Sequence, residues 1–172
     1  MLARCIVSLY RNIVTEVGRV DKCSAAGTVV VCGGFMAVKP VLRAADAVPA
    51  LQVLGDVDYR LARNAVVGEY RKGHLSRLEI CDAHPELMRA AEGVGQESRE
   101  DCPICEDVKL RLVSYVFGER LPAGGRCVTS ESDLAKLASN GRNLYCYVVE
   151  VCPSCAWNHV THAYSLAAQA TK

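Results

Sequence analysis

Cys102-Pro103-Ile104-Cys105 and Cys152-Pro153-Ser154-Cys155 are two copies of one pattern, C-P-x-C, in a chain of 172 residues. Proline after the first cysteine fixes φ, and the bend lets both thiolates face one way while backbone N–H groups donate to sulfur. A single C-x-x-C says little. Two of them, with proline at the same place and a foldable stretch between, supply the four thiolates of a tetrahedral metal site. Cys102, Cys105, Cys152 and Cys155 are therefore the predicted ligands.

The flanking sequence places both turns at strand ends. Lys109 to Phe117 is rich in Leu, Val and aromatic residues and reads as a strand. Asn143 to Val151 reads as another, with Tyr145, Tyr147 and Val149 on one face. Val160, His162, Tyr164 and Leu166 alternate again and suggest a return strand. Between them, Cys127-Val128-Thr129 is a short strand, and Ser132 caps a brief helix, Asp133 to Ser139, closed by Asn140-Gly141.

Two such turns at neighbouring strand ends resemble a zinc ribbon. Zinc (Zn²⁺) is the expected metal, because nothing else in the chain speaks for electron transfer, although four thiolates also suit iron. A dithiol redox enzyme needs one exposed pair at a helix start in a βαβ setting, which this region lacks. Turns of this kind often carry Gly after the second cysteine. Here Glu106 and Ala156 follow, which predicts a local departure from the usual geometry.

Upstream the pattern is helical. Asp56 reads as the cap of a helix with apolar positions Val57, Leu61, Ala65 and Val66, Tyr70 near its end and Gly73 as its C′ residue. Arg60, Arg63, Arg71 and Lys72 fall off that stripe and read as a solvated face rather than a nucleic-acid grip, given Asp58 and Glu69 among them. Leu75 to Ile80 reads as extended. His84-Pro85-Glu86 opens a second helix with Pro85 at N1, apolar Leu87, Met88, Ala90 and Ala91, and an end at Gly93.

The expectation is an α+β domain over residues 56–167, with a helical N-terminal half and an antiparallel sheet carrying a zinc-ribbon-like site of four cysteines. Residues 168–172 form a tail. Residues 1–55 lack sustained periodicity and contain Gly27, Gly33-Gly34, Pro40 and Pro49, so they read as a poorly structured extension with a weakly signalled helix from Leu2 to Val17. Met36, directly before Ala37-Val38-Lys39-Pro40, reads as the true start, with residues 1–35 arising from a start assigned too far upstream.

Composition narrows the function. With 51% hydrophobic but only 6% aromatic residues, the core must be mostly aliphatic. Twenty Lys and Arg against nineteen Asp and Glu give no overall footprint for nucleic acid. Residues 80–107 hold Asp82, Glu86, Glu92, Glu97, Glu100, Asp101, Glu106 and Asp107 against only Arg89 and Arg99, and would repel phosphate. Cys5 to Tyr10 is cut short by Arg11 and makes no convincing export signal, and Thr28 to Phe35 falls short of the roughly 20 apolar residues a bilayer requires. The ten cysteines then point to a reducing, cytoplasmic compartment and to metal rather than disulfides.

Other cysteines and histidines form a second tier. Cys81-Asp82-Ala83-His84 has C-x-x-H spacing, suited to a second site or to exchange into the first; otherwise Cys81 is buried and His84 caps the helix. His159, close after Cys155, reads as a donor to a thiolate rather than a ligand. Cys127 and Cys146 read as small core hydrophobes, and Cys5, Cys23 and Cys32 have no ligand spacing. Trp157, the single tryptophan, reads as apolar cover for the sulfurs, with an exposed anchor for a partner as the alternative.

Four stretches together resemble a small family of uncharacterised actinobacterial proteins, catalogued as a domain of unknown function. They are Val57-Asp58-Tyr59-Arg60-Leu61-Ala62-Arg63, Cys81-Asp82-Ala83-His84-Pro85-Glu86-Leu87, the Cys102–Cys105 turn, and Tyr147 through Cys152-Pro153-Ser154-Cys155 to Ala156-Trp157-Asn158-His159. The resemblance spans about residues 56–166 and implies the domain boundary and the paired cysteines, but no activity. The functional expectation is a non-enzymatic zinc module that binds a protein partner. The alternatives are a zinc- or redox-responsive regulator, a nucleic-acid or transcription–translation-associated ribbon, and an enzyme using Cys81 and His84 as a nucleophile pair.

Overall fold

The computed structural model describes residues 51–138 and 143–168. The expectations for the Leu2–Val17 helix, Met36, Cys5, Cys23, Cys32, the Asn140-Gly141 helix end and the tail beyond residue 168 lie outside them. In chain order the elements are β1 (Leu51–Asp58), α1 (Arg60–Arg71), α2 (Arg77–Ile80), α3 (Pro85–Val94) and β2 (Gln96–Asp101). There follow β3 (Lys109–Phe117), β4 (Arg126–Val128), α4 (Glu131–Ala138), β5 (Leu144–Val151) and β6 (Asn158–Ala168).

The described strands form one antiparallel sheet in the order β1-β6-β5-β3-β2, with β4 on the far half of the β3 edge that β2 leaves open. The fold is α+β. The two hairpins β2–β3 and β5–β6 meet where β3 pairs with β5, from Arg111 opposite Val151 to Phe117 opposite Tyr145. Both C-P-x-C segments are the turns of these hairpins, so both sit at the same end of the sheet.

Burial explains why β5 reads so strongly as a strand. Leu144, Cys146 and Val148 point into a cluster with Val116, Val128, Tyr164, Leu166 and the α4 residues Leu134 and Ala138. Val149 and Val151 point the other way, against Val113, Tyr115, Val160 and the α3 residues Leu87 and Ala91. A strand covered on both faces becomes a near-continuous apolar run. A third cluster fills the turn end: Val67 of α1, Ile80 of α2, Leu110, Trp157 and the cysteines.

Several helix signals hold. Gly73 has φ 79°, its N–H bonds Tyr70 O and the His74 N–H bonds Glu69 O, the paired bonds of a Schellman end to α1. His84 caps α3, its Nδ1 accepting from Glu86 N–H at 3.3 Å, with Pro85 in the first turn. The end of α3 falls slightly later than Gly93, at Val94. Ser130, not Ser132, caps α4, its Oγ accepting from Asp133 N–H at 3.2 Å.

Other readings need correction. Asp56 lies inside β1, and the sheet includes Leu51 to Gly55, which the sequence pattern places in the extension. Leu75 to Ile80 is not extended; α2 forms there on a capping box in which Glu79 accepts from Ser76 N–H and Oγ at 2.8 and 2.7 Å. Strand β2 has no counterpart in the sequence reading. On α1 the period is right but the phase is wrong: Leu61 is 85% exposed, while Val66, Val67 and Tyr70 face the core.

The phase of α1 is set by a bulge. Thr161 is the extra residue where β6 passes from His162, opposite Val148, to Val160, opposite Val149. Its carbonyl accepts from Tyr59 N–H at 2.9 Å, and its Oγ1 donates to Val148 O at 3.2 Å. That tie turns the chain from β1 into α1 and brings Arg63 inward. Arg63 is therefore not on a solvated face: its Nε donates to Glu150 Oε1 at 2.8 Å, and the side chains are only 14% and 4% exposed. Trp157 Nε1 donates to the same oxygen at 2.8 Å.

Removing one member of a buried ion pair leaves an uncompensated charge and costs about 3–5 kcal/mol, whereas replacing both is nearly neutral. Arg63→Met should accordingly lower stability by about 3 kcal/mol, and Arg63→Met with Glu150→Gln should recover most of it, since Gln still accepts from Trp157. Urea denaturation followed by tryptophan fluorescence checks this; equal losses in the single and double variants would refute it.

Candidate metal centre

The two turns are built alike. In the first, Cys102 N–H bonds Val108 O at 3.0 Å and Glu106 N–H bonds Cys102 O at 3.0 Å. In the second, Cys152 N–H bonds Trp157 O at 2.8 Å and Ala156 N–H bonds Cys152 O at 3.1 Å. Within each loop a backbone N–H also reaches the first sulfur, Ile104 to Cys102 at 3.5 Å and Cys155 to Cys152 at 3.4 Å. Further N–H groups, of Asp107 and Trp157, face the sulfurs of Cys105 and Cys155. Such donors offset the charge that several thiolates bring to one place.

The four sulfurs converge. Those of Cys102, Cys105, Cys152 and Cys155 all lie within 4.8 Å of one another. Cys102 to Cys155 and Cys105 to Cys152 are each 3.6 Å. Four sulfurs bound tetrahedrally at the usual metal–sulfur length stand about 3.8 Å apart, so these side chains match a tetrahedral ion with little movement. The donor set can hold a metal ion.

Without a metal these thiols resist ionisation. Burial pushes Cys102 and Cys152 up to about 11 and Cys155 up to about 12. Cys105 departs downward: burial opposes its thiolate, but the Asp107 N–H and the neighbouring sulfurs prevail. A cation must displace the protons, which couples metal uptake to proton release. Arg77 stands close by. Desolvation works against its charge, yet the sulfurs of Cys155 and Cys81 hold its pKa above the ordinary value.

The expected departure at Glu106 and Ala156 does not occur. Among the described residues these are the non-glycine positions with positive φ, 55° and 63°, so both turns adopt the left-handed geometry that Gly usually supplies. The chain accepts strain of about 1–2 kcal/mol at each, because an L side chain there meets its own carbonyl.

The second-tier residues separate. Cys81 Sγ lies 3.7 Å from Cys155 Sγ but does not join the group of four. His84 is a helix cap. His159 gives no bond to sulfur: its Nδ1 meets Val160 O at 2.6 Å, its ring stacks on Trp157 at 6.0 Å, and burial lowers its pKa. Trp157, 1% exposed, packs with the cysteines rather than standing out as an anchor. Cys146 is buried in the sheet, its thiol pushed up to about 12 by burial, and Cys127 is partly buried. Sequence reasoning missed Arg77 and the Arg63–Glu150–Trp157 cluster, both of which depend on contacts across the fold.

The chain belongs to the family of unknown function DUF5318, whose model matches residues 52–172. Two uncharacterized proteins of Mycobacterium tuberculosis and one of Mycobacterium bovis are each 42% identical to it over 112 residues, covering 65% of this chain and 82% of the relative. No solved structure matches the chain. The matched region contains both turns and every element of the sheet core.

Glycine at the left-handed turn positions should relieve strain at a smaller entropic loss. Ala156→Gly and Glu106→Gly are each expected to stabilise the metal-loaded protein by about 0.5–1 kcal/mol. Thermal melting at fixed metal concentration tests this; a lowered midpoint in both variants would contradict it.

Proposed function

We propose that the chain is a zinc protein without catalytic activity, in which the metal staples two hairpins and the surrounding surface binds a protein partner. The closed set of four sulfurs carries this reading. Catalytic zinc usually has three protein ligands and keeps one position for water or substrate, whereas four thiolates complete the tetrahedron. A filled site contributes folding energy instead of chemistry. His84 supports the same view, since its Nδ1 already accepts a backbone bond and Cys81 turns toward Cys155.

Zinc is preferred to iron because a redox-inert ion suits a site whose only evident task is to hold turns together. A reducing cytoplasm suits the free thiols. No helix of the described residues is long and apolar enough to cross a membrane. For the partner, Leu54 and Val57 on the outer strand β1, Leu61 on α1 and Leu78 on α2 are all exposed. Exposed apolar groups of this kind suit another protein's surface. The acidic run through α3, β2 and the first turn disfavours nucleic acid, for which only the ribbon-like form speaks. A second reading, a zinc- or redox-responsive regulator, draws support from the fifth thiol at 3.7 Å.

Elemental analysis of the purified full chain should find one zinc per molecule, and iron would reveal itself by visible absorption. Structural zinc contributes about 10–16 kcal/mol of apparent binding energy in small domains, so chelation or Cys152→Ser should abolish the cooperative fold. A metal-free chain that melts as cooperatively as the loaded one would defeat the proposal. For the partner, a protein retained by the wild type should be lost with Leu54→Asp/Leu61→Asp while metal content stays unchanged; equal retention would remove that surface from consideration.

A further inference from the structure

The group of four sulfurs has a fifth neighbour. Cys81 Sγ stands 3.7 Å from Cys155 Sγ, nearly as close as the paired ligand sulfurs are to each other. A tetrahedral ion takes four thiolates, so this one is left over at a single corner of the site. Its place is constructed. The Cys81 N–H closes α2 on Arg77 O at 2.9 Å, and Ile80 beside it is buried in the turn-end cluster. Ala83 N–H bonds Ala156 O at 3.0 Å, and Asn158 Nδ2 bonds Asp82 Oδ1 at 3.1 Å. These ties clamp the segment holding Cys81 along the loop holding Cys155.

Exposure distinguishes the two sulfurs. Cys155 is buried, whereas Cys81 is partly exposed. A solvent-accessible thiol beside a second sulfur is the arrangement found where oxidation is resolved as a disulfide.

We propose that Cys81 is an oxidation site for hydroperoxides, and that it forms a disulfide with Cys155 which withdraws that ligand from the metal. This rests on the reading of the four cysteines as a metal site. The Cys81 thiolate attacks one peroxide oxygen, the O–O bond breaks, and hydroxide leaves, giving a sulfenic acid. The Cys155 sulfur then attacks the Cys81 sulfur, forming the S–S bond and expelling a second hydroxide. Both hydroxides take protons from solvent. Two thiolates thus lose two electrons, one hydrogen peroxide becomes two waters, and the metal keeps its oxidation state. Cys102, Cys105 and Cys152 would then be the sulfurs left to hold the ion, a set one ligand short of the tetrahedron, which favours its release. A dithiol reductant reverses the step.

The test loads the full chain with zinc, adds a small excess of hydrogen peroxide, follows zinc release with a metallochromic dye, and maps disulfides in non-reduced peptides. The wild type should release zinc with Cys81–Cys155 as the first linked pair. Cys81→Ser should bind zinc in the same ratio and release it roughly tenfold more slowly, because attack then falls on metal-held sulfurs, of which Cys105 alone is partly exposed. Equal release rates, or a first disulfide joining Cys102 to Cys105 or Cys152 to Cys155, would overturn the proposal. The wild-type peptide map decides the matter even where the variant fails to fold. A wild type that takes up no zinc overturns the metal reading instead, and the same map of the metal-free chain then shows whether Cys81 and Cys155 still pair.

Discussion

The pairing of β3 with β5 is the contact on which the rest depends. It sets Arg111 opposite Val151, each a few residues from a C-P-x-C turn, one preceding its strand and the other following it. Slipping this register by one residue would turn the inward residues of one strand, Val113 and Tyr115 or Val149 and Val151, away from α3, and would carry Cys102 and Cys105 off the level of Cys152 and Cys155. One ladder therefore fixes both the core and the sulfur cluster. Stability and the convergence of the four sulfurs share a cause here.

The metal end illustrates how such a site tolerates unfavourable parts. Two turn residues hold left-handed backbone without being Gly, three buried thiols resist ionisation, and Glu150 carries a charge at 3% exposure. Each is unfavourable alone. Together they are compensated by N–H groups aimed at sulfur, by Arg77 near the thiols, and by Arg63 and Trp157 on the Glu150 carboxylate. A metal ion held by the four sulfurs would supply the remaining positive charge. Removing a single member of such a cluster leaves its partners uncompensated.

Legibility in the sequence follows how local each cause is. β3, β5 and β6 can be read because side-chain type and alternation persist over many residues. Gly73, Pro85 and the paired cysteines can be read because each does its work within a few residues of itself. β2, with sequence QESRED, has no strand composition and is mostly exposed; it is a strand only because the first turn folds it back onto β3. The phase of α1 escapes the sequence for a related reason. Leu61 looks like a core residue, but the Thr161 bulge and the buried Glu150 turn Arg63, Val66 and Val67 inward instead. Nothing near Arg63 in the sequence announces a partner 87 residues away.

That distant partner bears on how a change at the sulfurs would be felt elsewhere. Cys152 and Trp157 share a backbone bond across the second turn, Trp157 shares an acceptor with Arg63, and Arg63 belongs to α1. α2 is the next element after α1, and the residue that caps its end is Cys81, whose sulfur returns to Cys155. The contacts therefore form a closed loop from turn to tryptophan to helix and back to sulfur. A loop of contacts cannot be opened at one point without relaxing its neighbours, so drawing Cys155 toward Cys81 acts on the same links that place α1 over the sheet. Leu61 and Leu78, exposed on α1 and α2, ride on those links. A few named bonds in this way join the outer surface to the sulfur cluster as one contiguous chain of contacts.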